Sequence, residues 1–169
     1  MTETITYDAN VTAKADAESI LRTAWGYRFP VDPVRIARQL GIDVIDANLA
    51  GDVAGAIVKE SGKDAVILVN QFDHPNRKRF TVAHELGHFV QKSEDTFEYV
   101  DRRDTLSSMG VSPDEMYANA FAANLLMPED EIKRLIKEEK TSDLEMAMRF
   151  GVSREAMKIR LSSLGLTAP

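Results

Sequence analysis

Two histidines four residues apart, in Arg79-Phe80-Thr81-Val82-Ala83-His84-Glu85-Leu86-Gly87-His88-Phe89-Val90, constrain this chain more than any other stretch. On an α-helix four residues make about one turn, so His84 and His88 project from the same face. Two imidazoles held in that way can grip one metal ion, and Glu85 beside them can hold a water. A chance pair on a solvated helix would have polar neighbours. Here Val82, Ala83, Leu86 and Phe89 surround the histidines, which sets them at the boundary of the core, where imidazoles need partners. The helix must therefore pack across another layer of the fold. Gly87 inside it costs roughly 1 kcal/mol relative to Ala, which predicts close approach of a strand or a substrate to the helix backbone.

A catalytic zinc takes three protein ligands and leaves one position open. The chain has no Cys, so thiolate ligands, disulfides and a Cys nucleophile are excluded. No histidine follows His88, and His74 lies in the turn before the helix. The third ligand must then be a carboxylate, and the segment opening at Pro113 offers Asp114 and Glu115. We favour Glu115, because Asn119 lies one turn later on the same face and can hydrogen-bond a ligand. Judged locally, Glu115 serves equally well as the third residue of a capping box begun by Ser112. Two histidines and a carboxylate suit zinc best, with manganese and iron as less apt occupants.

The rest of the chain reads as support. Residues 1–9 are polar and carry no element signal. Val11, Ala15, Ile20, Leu21 and Ala24 fall at helical spacing, and Gly26 stops that helix. Asp32 caps a second helix with Pro33 at its first position. Ile42, Val44 and Ile45 form a short strand. Val53 to Lys59 and Ala65 to Asn70 make a hairpin around a Gly-containing turn, and the run Ala65 to Val69, apolar on both faces, belongs inside the sheet. The expected fold class is α+β: a small, largely antiparallel sheet of about three strands with the metal helix across it. Residues 92–112 are mixed-charge and irregular apart from a possible strand at Thr96 to Val100, and such a length of loop is commonly a lid. Ser112-Pro113 starts a helix that Pro128 ends, and Glu129 to Lys140 is amphipathic. Two short helices hinged at Gly151 close the chain and resemble a helix-turn-helix. We divide it as residues 1–140, bearing the site, and 141–169, a hairpin packed on the same core.

Composition narrows the function. With 44% apolar and 28% charged residues, the 169-residue chain is ordinary for a globular domain. Met1 to Asn10 shows no signal-peptide pattern, and no apolar run approaches the ~20 residues needed to span a bilayer. The expectation is a cytoplasmic protein with no membrane partner. In the last helix Arg154, Lys158 and Arg160 face a single Glu155, which suits DNA binding. A formal charge of −6 and the lack of a linker instead favour a hairpin packed on the core.

Arg79 to His88, followed by Glu115-x-x-Ala118-Asn119-x-Phe121-Ala122-Ala123-x-Leu125-Leu126-Met127-Pro128, closely resembles the ImmA/IrrE family of metallopeptidases, over about residues 30–166. The resemblance implies a zincin-like domain with a gluzincin-like site: His84, His88 and Glu115 on zinc, with Glu85 catalytic. Many members have Glu where this chain has Tyr117, so no ligand can come from that position. The resemblance also implies proteolysis of a helix-turn-helix repressor of a phage, mobile element or stress operon. A repressor-binding module with little catalysis and a DNA-binding regulator are the competing classes. Intact Glu85 argues for the peptidase. The donor for the developing oxyanion stays open among Tyr117, His74 and Tyr99, and neither activating trigger nor oligomeric state is legible.

Overall fold

A computed structural model describes residues 2–92, 96–102 and 112–169. Helix α1 (Thr2–Ile20) opens the chain and passes through a π-turn, Leu21–Trp25, to Gly26 at φ 87°. It thus begins earlier than the sequence pattern suggests, because neither Pro nor Gly interrupts the backbone before Gly26. Ala13, Ala17 and Leu21, each a turn apart, are fully buried. Helix α2 (Pro33–Gln39) starts where expected, with Asp32 Oδ1 accepting the Arg35 N–H at 3.1 Å.

Strands β1 (Asp43–Ala47), β2 (Val53–Lys59), β3 (Val66–Asn70) and β4 (Phe97–Arg102) form a sheet of order β1-β3-β2-β4. The β2–β3 and β2–β4 pairs are antiparallel, whereas β1 and β3 are parallel. Among the described residues the sheet therefore has four strands rather than three. The doubly apolar β3 needs a neighbour on both sides, so it inserts between β1 and β2 instead of leaving those consecutive strands to pair. Asn70 closes this end: its Nδ2 donates to the Val53 carbonyl at 3.0 Å and its Oδ1 accepts the Phe72 N–H at 3.2 Å.

Helix α3 (Pro75–Lys92) carries the two histidines and lies on the sheet. Helix α4 (Pro113–Leu126) crosses α3 on one side and packs along α1 on the other. Tyr117 fastens the second contact by donating to Asp16 Oδ2 at 2.5 Å. Helix α5 (Glu129–Arg134) runs on through a π-turn at Leu135–Glu139, and the chain ends in α6 (Asp143–Phe150) and α7 (Arg154–Leu164). Met146, Phe150, Met157 and Leu161 join Ile36, Leu86 and Phe121 in one apolar cluster, so the C-terminal hairpin shares the core of the rest. Of the anticipated lid, residues 92–112, Lys92 falls on α3 and Phe97–Arg102 form β4; residues 93–95 and 103–111 lie outside the described residues.

Candidate metal centre

The site is assembled where α3, α4 and β4 meet. His84, Glu85 and His88 are fully buried on one turn of α3. Glu115 enters from the first turn of α4. Its backbone N–H is received by Ser112 Oγ at 3.2 Å, half of the capping arrangement the sequence allows. Its carboxylate is directed to the histidines, with Oε2 3.1 Å from His84 Nε2 and Oε1 3.1 Å from His88 Nε2. One ligand atom from each of the three residues lies within 4.8 Å of the others. Asp114, the rejected candidate, receives the Tyr99 hydroxyl at 2.8 Å and lies 3.9 Å from Lys92 Nζ.

The chemistry of this donor set fits a divalent cation. Asn119 Oδ1 lies 2.8 Å from His84 Nδ1, so the ring N–H donates there, and in the neutral imidazole the lone pair is then on Nε2. That lone pair then faces a carboxylate oxygen at 3.1 Å. Two acceptors so close repel in a buried site unless a proton or a metal ion lies between them. The rings of His84 and His88 stand at 84° to each other with centroids 4.9 Å apart, an edge-to-face arrangement that converges their Nε2 atoms on one carboxylate.

Two glycines make this convergence possible. A Cβ on Gly87 would lie 3.1 Å from Ala118 Cα and 3.2 Å from the Phe121 side chain. The close approach inferred for Gly87 is therefore real, but the neighbour is helix α4 rather than a strand or a substrate. Gly55 is the second, and nothing in the sequence singled it out. A Cβ there would collide with Thr81 Cγ2, sit 2.8 Å from the Leu68 carbonyl oxygen and stand 3.6 Å from Glu85 Oε1. Strand β2 thus lies directly against the turn bearing Glu85, next to an irregularity in its pairing with β4 at Val53/Gly55.

The three oxyanion candidates part company. Tyr117 faces Asp16 on the far side of α4, and burial together with that hydrogen bond pushes its hydroxyl pKa far up. His74 is exposed and caps α3, its Nδ1 accepting the Asn76 N–H at 3.1 Å. Tyr99 lies at the site, its ring stacked on His88 at 3.9 Å and 7°.

Two arginines, Arg79 half-buried and Arg160 buried, bind the centre to the C-terminal hairpin. Arg79, one turn before the first histidine, donates from Nε to the Gly151 carbonyl at 3.0 Å and from Nη2 to the carbonyls of Val31 and Phe150. Its pKa is lowered by burial. Arg160 donates to the Met127 carbonyl at 3.0 Å and to Asn124 Oδ1 at 2.9 Å. Burial pushes it down to about 10, which leaves the guanidinium charged at neutral pH. Arg160 was a candidate DNA contact in the sequence, yet it is only 7% exposed. Arg154 is held by Asp143 at 3.1 Å.

Among the described residues, no helix is long and apolar enough to cross a membrane. The Peptidase_M78 family model, described as the IrrE N-terminal-like domain, matches residues 37–162. No curated protein matches the chain.

Proposed function

Because the chain belongs to the IrrE N-terminal-like peptidase family, we propose that it is a zinc-dependent endopeptidase that cuts one protein substrate, a helix-turn-helix transcriptional repressor. The observation that carries the metal reading is the convergence of His84, His88 and Glu115 within 4.8 Å. His84 and His88 would hold the zinc through Nε2 and Glu115 through its carboxylate. Zinc held there lowers the pKa of a bound water and polarises the scissile carbonyl. Glu85, buried on the ligand-bearing turn, takes the proton of the attacking water and returns it to the departing amine. Asn119 keeps His84 in the tautomer whose Nε2 is a ligand.

The choice of a repressor as substrate rests on the family and assigns the work to the cytoplasm, where a DNA-bound regulator is met. The rival reading of the C-terminal hairpin as a DNA reader has little left to stand on. Of its three cations, Arg160 is inside and Arg154 is occupied by Asp143.

The test pairs metal analysis with cleavage. Purified protein should hold one zinc per chain and cut a repressor encoded beside it, as read by mass spectrometry. Glu85→Gln should retain the zinc and lose cleavage by a factor of at least ~10². A Glu85→Gln protein that cuts at the wild-type rate rules the mechanism out.

A further inference from the structure

The two histidines are held in different ways. His84 is oriented in its ring plane by Asn119 at 2.8 Å. His88 is covered on one face by Tyr99, with centroids 3.9 Å apart and planes within 7° of parallel. Tyr99 belongs to edge strand β4, opposite Ile57 of β2, and alternation along β4 turns Phe97 and Tyr99 inward while Glu98 and Val100 are exposed. Its hydroxyl donates to Asp114 Oδ2 at 2.8 Å, immediately before the ligand Glu115. Lys92 Nζ, on the last turn of α3, lies 3.9 Å from the other oxygen of Asp114. One side chain thus joins the sheet edge, the histidine helix and the start of the carboxylate helix.

We propose that Tyr99 is a positioning residue for the metal centre, fixing the ring plane of His88 so that Nε2 stays aimed at the shared site. The physical need is clear. The ring torsion of a histidine is broad, so burial alone does not select one plane. The lone pair of Nε2 lies in that plane, and a rotation of His88 swings it away from the point on which Glu115 and His84 converge. A parallel aromatic face at 3.9 Å leaves no room for that rotation. The hydrogen bond to Asp114 in turn stops the phenol from sliding along the imidazole. The expected consequence is a slow release of metal and a ligand geometry that persists in its absence.

This inference rests on the metal-site reading, and the experiment separates the two. Zinc-loaded protein is mixed with excess chromogenic chelator and the rate of zinc release is followed. Cobalt-substituted protein is scanned in the visible range, and metal-free protein is unfolded by heat. Tyr99→Leu removes the face; Tyr99→Phe keeps the ring and removes the hydroxyl. We expect release at least ~10-fold faster in Tyr99→Leu, in the range typical for groups that orient ligands. Tyr99→Phe should fall within about threefold of wild type, and the cobalt spectrum should change only in Tyr99→Leu. Release from Tyr99→Leu at the wild-type rate overturns the proposal, as does equal acceleration in both variants, which would assign the effect to the hydroxyl. Should Tyr99→Leu fail to fold, Tyr99→Met, which keeps the bulk and removes the flat ring, takes its place: release at least ~10-fold faster is expected, and release at the wild-type rate overturns the proposal. Wild-type protein that binds no zinc overturns the metal reading, and this inference with it.

Discussion

Replacing Gly87 by Ala tests the idea that the centre depends on how closely α3 and α4 can approach. In an isolated helix the change stabilises by roughly 1 kcal/mol. In this protein the new Cβ would lie 3.1 Å from Ala118 Cα and 3.2 Å from both Cβ and Cδ1 of Phe121, inside ordinary van der Waals separation. Overpacking of this kind costs about 1–3 kcal/mol. Backbone at Ala118 cannot turn aside as a flexible side chain would, so the middle of that range applies. The net expectation for the metal-free protein is a loss of about 1 kcal/mol. The site should suffer separately. Glu115 lies one turn from Ala118 on the same rigid helix, so pushing α4 back by a few tenths of an ångström carries the carboxylate with it. A metal site tolerates displacements of only about 0.5 Å, and a three- to tenfold weaker zinc affinity is expected, about 0.7–1.4 kcal/mol. Urea unfolding of metal-free protein and a chelator competition give the two numbers independently. A variant stabilised by about 1 kcal/mol with unaltered zinc affinity would show that helix approach does not limit the site.

Three further outcomes are expected. Hydrogen bonds from Lys133 and Lys14 pull the Glu129 carboxyl down to about 2, from 4.5 in the unfolded chain. The stabilisation is therefore complete above pH 4.5 and lost as the pH falls towards 2. Because the lysines are 53% and 41% exposed, solvent screening reduces it to about 1 kcal/mol, and Glu129→Gln should remove that part of the acid limb in a pH series of thermal melts. Tyr117→Phe leaves Asp16 without its 2.5 Å donor and should lower stability by about 1–2 kcal/mol, with zinc affinity and cleavage unchanged. Arg160→Met strands the Met127 carbonyl and Asn124 Oδ1 and should cost about 2–4 kcal/mol in denaturant unfolding. Unchanged stability in that variant would contradict the burial of Arg160.

The elements were legible because each rests on a local rule. Pro33 after Asp32 and Pro113 after Ser112 are helix starts that the backbone uses as written. The doubly apolar run of β3 announces an interior strand, and β3 lies between β1 and β2. The parallel pairing of β1 with β3 was not legible, since no local pattern states which strand lies beside which. The HExxH-bearing turn was plain from spacing alone, and so was the demand for a third ligand of carboxylate type. Gly55 passed unnoticed, because its only signal is the volume that its neighbours occupy.

By itself, then, the sequence determined the kind of chemistry available: two imidazoles on one helical face, a glutamate between them, no thiol, and a carboxylate to be supplied from afar. Local periodicity suffices for that, since side chains one turn apart share a face in any helix. The tertiary structure alone decided which groups meet. Glu115 reaches the histidines because Gly87 lets α4 lie against α3, and Nε2 of His84 points inward because Asn119 takes Nδ1 on the opposite side of the ring. Tyr99 and Tyr117, both candidates in the sequence, end against His88 and on the far side of α4. Such outcomes depend on the crossing of elements distant in the chain, and the distance of closest approach at a crossing is set by atoms that no single segment contains.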